Sequence, residues 1–237
     1  MRRLDQLLAN LGYCSRSEAR DWMRAGRVTV GGAPARDSGQ RVAAGEVRID
    51  GEPPDHPDGL LLLLHKPTGL VCSHDEREGP SVYSLLPERW RRRNPVVTSV
   101  GRLDKDSEGL ILLTNDGDLT FRATHPSFGL EKTYIIEFDG NLPVGVDKVL
   151  LKGIELEDGM GRVLTFKQLS PQWIEVSIHE GRYHIIRRLM EAVDVRVLRL
   201  IRTKFGPISL GDTPEGRWRD LNSSELISLQ NALNIKV

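Results

Sequence analysis

Cysteine is scarce in this 237-residue chain: Cys14 and Cys72 are the two it has. They have neither the paired spacing of a zinc site nor the number for a disulfide framework, which fits a reducing compartment. Aromatic residues make up 5 % of the chain, too few to suggest a sugar-binding platform. Neither sign of charge is in excess, with 33 basic and 33 acidic residues, so net charge argues neither for nor against nucleic acid. The longest apolar run, Leu60–Leu64, is far short of the ~20 residues of a membrane-spanning helix. The N-terminus lacks the apolar core and cleavage site of a signal peptide. A cytoplasmic protein without membrane contact is expected. There is no phosphate-binding Walker loop, dinucleotide fingerprint, H-E-x-x-H or G-x-S-x-G elbow. His179 and His184 are five positions apart and would not share a helix face as metal ligands.

What is present divides the chain. Residues 1–52 read as a small unit, 53–59 as a linker and 60–237 as a larger domain. Leu4, Leu7, Leu8 and Leu11 fall on one face of a short helix. "SRSE" offers Ser15 as N-cap with Glu18 at the capping-box position. The following helix is expected to run to about Ala25, with Gly26 ending it and "RVTVGG" giving a strand and a turn. "PPDHPDG" has linker composition. In the larger domain, strands are predicted at Leu60–Leu64, Val96–Val100, Leu110–Thr114, Thr133–Phe138, Val163–Gln168 and Trp173–His179, and helices over 145–152, 184–193 and 222–234. Strands outnumber helices and do not alternate with them, so the fold class is α+β on a largely antiparallel sheet.

Charge is uneven along the chain. Residues 1–36 hold seven arginines against three acids, and residues 37–59 hold two arginines against six acids. Residues 182–204 and 87–105 hold seven and six basic residues respectively, each against two acidic ones. Such stretches suit RNA phosphates. "RWRRR" at 89–93 reads as a phosphate-binding loop in which Trp90 could stack on a base, and a solvated basic loop is its rival.

Five carboxylates crowd "VGRLDKDSEGLILLTNDGDL", residues 100–119. Asp104, Asp106, Glu108 and Gly109 match the opening of a calcium loop, but Leu112 and Asn115 occupy its ninth and twelfth positions, where ligands are needed. A two-carboxylate glycosidase is not excluded by spacing. The other reading is one reactive Asp104 in a loop between strands, flanked by Arg102 and Lys105, which would favour its ionised form. By residue type alone, a salt-bridged loop aspartate is the commoner outcome. "TNDGDL" is read as a turn.

Combined motifs tip the balance. "RLDQLLANLGYCSRSEARDWMRAGRVTVGG" resembles the S-four-type RNA-binding domain, or αL motif. "GRLDKDSEGLILLTNDGDL" resembles the signature of bacterial ribosomal RNA pseudouridine synthases that modify single uridines in the small or large subunit. "HKPTGLVCS", "EKTY", "EGRYHIIRRLMEAV", "LIRTKFGPISL" and "GRWRDL" resemble that family's other segments, in order, over most of residues 2–225.

The resemblance implies the pseudouridine synthase fold, isomerisation of a uridine in ribosomal RNA, and no cofactor or metal. It puts the catalytic carboxylate at Asp104, Tyr134 against the uracil, and Arg187 beside the aspartate. Leu200 would close the pocket. Arg102, Lys132, Arg182 and Arg188 would meet substrate, with Arg16, Arg20 and Arg24 binding RNA in the N-terminal module. A bacterial monomer acting on a single-stranded or melted segment is expected, with large-subunit RNA slightly favoured. The chain departs from the family pattern at Ser107, where threonine is commoner, and at Ile185, where a polar residue is. A non-catalytic RNA-binding or ribosome-assembly protein on the same fold is the alternative, and a nucleoside glycosidase a second.

Overall fold

The structure is a computed structural model describing residues 1–235, so the last two positions of the 60–237 span lie outside the described residues. The chain forms two compact units. One comprises Met1–Leu61, Tyr83–Thr98 and Leu113–Gly117; the other comprises Leu62–Val82, Ser99–Leu112 and the chain from Asp118 onward.

In the first unit the leucine stripe forms helix Leu4–Asn10, and Leu4, Leu7, Leu8 and Leu11 are buried with Ala19, Met23, Val28, Val47 and Ile49. Ser15 and Glu18 make both capping-box bonds: Ser15 N–H donates to Glu18 Oε2 at 2.7 Å and Glu18 N–H to Ser15 Oγ at 3.2 Å. Helix Ala19–Arg24 follows, and Gly26 turns the chain with φ +72°, a conformation glycine adopts freely. Strand Val28–Val30 lies between Ala33–Pro34 and Val47–Ile49 in an antiparallel sheet.

The same unit absorbs the "RWRRR" segment, which corrects the phosphate-loop reading. Asp55 accepts hydrogen bonds from Arg89, from Trp90 Nε1 at 2.6 Å and from Arg93 Nη2 at 3.2 Å. Arg93 also donates to the backbone oxygens of Asp55 and His56 at 2.6 and 2.9 Å. Trp90 and Arg93 are buried, so Trp90 offers no free face for a base. Arg92 is paired with Glu88. The cause is the acidic 53–59 segment, whose Asp55 gathers these donors. Gly12 packs so closely here that a Cβ would lie 2.1 Å from Arg89 O.

The second unit is built on a nine-stranded mixed sheet. Along its main path the order is Thr165–Ser170, Trp173–Ile178, Lys132–Phe138, Val197–Phe205, Glu108–Thr114, Leu61–Lys66 and Trp218–Asp220. Most pairings are antiparallel, but Val197–Phe205 runs parallel to Glu108–Thr114. Predicted strands appear with small shifts, the 96–100 one reduced to Thr98–Ser99, and the three predicted helices appear at Val146–Lys152, Ile185–Glu191 and Ser223–Ala232.

Several elements are not expected from the sequence, among them strands Val47–Ile49, Ile154–Leu156, Gly159–Gly161 and Trp218–Asp220, and two others border the cavity. Val197–Phe205 has three basic residues, Arg199, Arg202 and Lys204, set among apolar ones, and this charge hides a central strand. "TNDGDL" turns at Asn115 and then opens helix Gly117–Thr124, because Asn115 Oδ1 is spent on Leu60 N–H at 2.8 Å. No helix among the described residues is long and apolar enough to cross a membrane.

Candidate active site

Strand geometry assembles the site. Residues directly paired across an antiparallel ladder share a face. Tyr134 is paired with Arg202, and Ile136 with Leu200, so Lys132, Tyr134, Leu200 and Arg202 project to one side of the sheet. The loop from Ser99 to Glu108 leads into the neighbouring strand, which pairs with Val197–Phe205 at Glu108 and Gly109. Together with residues 179–186 they line a cavity of about 910 Å³ that includes Arg102, Asp104, Ser107, Lys132, Tyr134, Arg182, His184, Leu200 and Arg202.

Asp104 sits in that loop with its side chain one-third exposed, its Oδ1 3.4 Å from His184 Nε2. The loop is pinned from below by Lys66, whose side chain is fully buried. Lys66 Nζ donates to Ser107 O at 2.7 Å, Pro67 O at 3.0 Å and Lys105 O at 3.3 Å. Burial pushes the Lys66 pKa down, and Cys72, Asp104, Asp106 and Glu108 pull it back up. Ser107 N–H closes the turn on Asp104 O at 3.1 Å, while Ser107 Oγ is buried with no hydrogen-bond partner among the described residues.

Tyr134 and Leu200 are buried cavity-wall residues. Lys132 Nζ donates to Leu130 O at 2.9 Å and His179 O at 2.8 Å, so it ties two segments of the rim together. Burial lowers its pKa to about 8, and the Arg202 charge adds to the effect.

The remaining predicted residues divide. Arg187 Nη2 donates to Asp106 O at 3.3 Å; among the described residues it is His184, not Arg187, that stands within ion-pairing distance of Asp104. Arg182 and Arg188 both bind Asp158, at 2.8 and 2.5 Å, and Arg182 also pairs with Glu180. Asp158 is held at a pKa of about 2, chiefly by its hydrogen bond from Arg188. Arg102 is mostly exposed and reaches Glu78 at 3.3 Å. In the N-terminal unit, Arg20, Arg24 and Arg36 line a shallow cavity of about 400 Å³, and Arg16 lies 3.5 Å from Asp5.

Four residues take roles in the site that the sequence does not assign: Ser107 stands there only as a departure from the family pattern and His184 only as a rejected metal ligand. Lys66 and Ser107 sit within quoted motifs, but burial gives them their roles. His184 adopts φ +50°, a left-handed conformation uncommon outside glycine, and nothing in its spacing signals it. Arg202 was counted as one charge in a basic stretch. It is buried, its Nε donates to Leu110 O at 2.7 Å, and its Nη2 has no partner among the described residues. No cluster of three or more metal-ligating side chains occurs among the described residues.

Residues 60–192 match the RNA pseudouridylate synthase family, and residues 2–47 match the S4 domain. The chain is 39 % identical to an uncharacterized RNA pseudouridine synthase of Mycobacterium leprae (strain TN), over 98 % of this chain and 94 % of the relative. It is 35 % identical to the ribosomal large subunit pseudouridine synthase B of Shigella flexneri, over 98 % of this chain and 84 % of that one. A pseudouridylate synthase crystal structure superposes with a TM-score of 0.65 at 28 % identity, covering 97 % of this chain and all of the other. A catalytic-domain match over half the chain, a full-length relative and a shared fold all lead to one assignment: the chain belongs to the RNA pseudouridine synthase family and carries an S4 domain at its N-terminus.

Proposed function

We propose that this protein converts one uridine of large-subunit ribosomal RNA to pseudouridine, with Asp104 as the catalytic carboxylate. The observation that carries the reading is the meeting of Asp104, Tyr134 and Leu200 around one cavity in the unit that bears the synthase motifs. The choice of large-subunit RNA rests on relatives named for that activity.

In this reading the target uridine leaves its stack and enters the cavity. Tyr134 offers the base an aromatic surface. The Asp104 carboxylate acts at the base or the sugar as the C1′–N1 bond breaks. The uracil turns and a C1′–C5 bond forms; the C5 proton is lost and N1 is protonated, so atoms balance without a cofactor. The apolar wall of Leu200 and Tyr134 excludes water, which strengthens the field of the carboxylate. Arg187 approaches the same loop through Asp106 and would bias its charge.

Residues 1–52 would dock the RNA through Arg16, Arg20 and Arg24, with 53–59 joining them to a catalytic domain at 60–237. The enzyme would act in the cytoplasm, as a monomer, on a single-stranded or melted segment. Arg182 and Arg188, already bound to Asp158, would meet substrate only by sharing that carboxylate.

The test is pseudouridine mapping of both ribosomal RNAs from cells with wild-type protein, without it, and with Asp104→Asn. One large-subunit site should vanish in the null and remain absent with the folded variant. If Asp104→Asn restores the site, the catalytic assignment is wrong. If no site depends on the protein, the assembly-factor reading replaces this one.

A further inference from the structure

Tyr183 stands out among the few aromatic residues of the chain. It is 76 % exposed, yet it belongs to the wall of the 910 Å³ cavity. One face of its ring is covered by His184, with centroids 3.8 Å apart and planes inclined by 16°. His184 Nε2 in turn lies 3.4 Å from Asp104 Oδ1. His184 also has a left-handed backbone, a conformation that costs free energy in a non-glycine residue and is retained where surrounding structure imposes it. The phenol has no hydrogen-bond partner among the described residues, so polar anchoring does not explain the ring's position.

Size adds a second argument. Pockets for small ligands run from about 300 to 1,000 Å³, and at about 910 Å³ this cavity is at the upper end. A single uracil does not fill it. An enzyme that extracts one base also reads the nucleotides on either side, and every nucleobase has a face that stacks on an exposed aromatic ring.

We propose that Tyr183, backed by His184, is a stacking platform for the base next to the flipped uridine and so a specificity-determining residue. This rests on the proposed synthase activity. It assigns a distinct task within it: Asp104 and Tyr134 serve the reacting nucleotide, and Tyr183 its neighbour. His184 is a positioning residue that joins the two tasks, because one ring supports Tyr183 and faces the catalytic carboxylate.

The test uses the shortest large-subunit RNA fragment that the wild-type enzyme modifies, prepared intact and with an abasic ribose 5′ or 3′ to the target. Pseudouridine formation is followed under kcat/KM conditions with wild type, Tyr183→Ala and Tyr183→Phe. On intact RNA, Tyr183→Ala should fall about 5- to 150-fold, the range of base–aromatic stacking, and Tyr183→Phe should recover most of it. On the fragment abasic at the stacked side, wild type and Tyr183→Ala should become equal. A deficit of Tyr183→Ala that is the same on all three RNAs, or no deficit on any, overturns the platform. If the wild-type protein modifies neither large- nor small-subunit RNA, the synthase reading itself fails, an outcome separable from the others because it appears without any variant.

Discussion

Asp104 Oδ1 and His184 Nε2 stand 3.4 Å apart at the edge of the cavity. The ring nitrogen stands beside one of the two carboxylate oxygens. Replacing Asp104 by Asn keeps the shape and removes the charge. Pseudouridine formation should fall by ~10³-fold or more, as when a reacting group is lost, with the melting temperature nearly unchanged because the side chain is one-third exposed. Replacing His184 by Gln should cost about two- to fivefold, the scale of a partly exposed pair. Single-turnover rates would check both, and an Asp104→Asn rate within tenfold of wild type would refute the assignment.

Gly109 is a sharper structural test. It has φ +107°, and a Cβ there would lie 2.3 Å from Arg202 O and 2.6 Å from Arg202 N. The strand around it is buried along its whole length, so neither backbone can yield. Gly109→Ala should lose ~2–4 kcal/mol through overpacking and left-handed strain. Urea unfolding would measure it, and a change below about 0.5 kcal/mol, ordinary for a surface site, would contradict the packing described here.

Lys132 should leave a mark on alkaline stability. Its pKa is about 8 in the folded protein against an ordinary 10.5. Between those values the unfolded chain binds a proton that the folded chain has lost, so stability rises with pH across the window. The recovered free energy should be ~1–3 kcal/mol, from the size of the shift and partial exposure. Subtracting the pH dependence of Lys132→Gln isolates it from other lysines and tyrosines. A flat difference from pH 8 to 10.5 would mean that Lys132 is not buried as described.

At the acid end the corresponding group is Asp158, with a pKa of about 2 against 3.8. Its pairing with Arg188 and Arg182 stabilises the fold above the ordinary carboxylate pKa. That contribution is lost as pH falls from about 4 towards 2. Asp158→Asn should therefore flatten the acid limb of the stability profile. It should also raise hydrogen exchange in the hairpin of strands Ile154–Leu156 and Gly159–Gly161, where Arg182 binds the Gly159 and Met160 carbonyls. Unaltered exchange there would count against the anchoring role.

Much of this was legible in the sequence because the signals were local. The Leu4–Leu11 stripe, the Ser15–Glu18 box and the alternating strands each depend on neighbours within a few residues. The aspartate loop was legible as a motif. What stayed hidden depends on long-range encounters. Asp55 collects donors from 89–93, and no local pattern announces that. Val197–Phe205 looked like an RNA-facing basic stretch, yet Arg202 is buried against Leu110 and Arg199 pairs with Glu108 at 2.5 Å. Charge count predicts surface, and a guanidinium with a buried acceptor escapes that rule. His184 was legible only as a rejected metal ligand, because its contacts with Tyr183 and Asp104 depend on the fold.

The internal pairing of arginines has a consequence for how RNA would be held. When a protein cation neutralises a phosphate, condensed counterions leave the RNA and affinity falls steeply with salt. Arg89, Arg92, Arg93, Arg182, Arg188 and Arg199 already have carboxylate partners. A phosphate arriving at one of them exchanges with an existing anion. The ionic part of binding should then be weaker than 33 basic residues suggest, and more of the selectivity would fall to shape and stacking. Such a surface would engage many sequences briefly, holding only one that can present a uridine to Asp104.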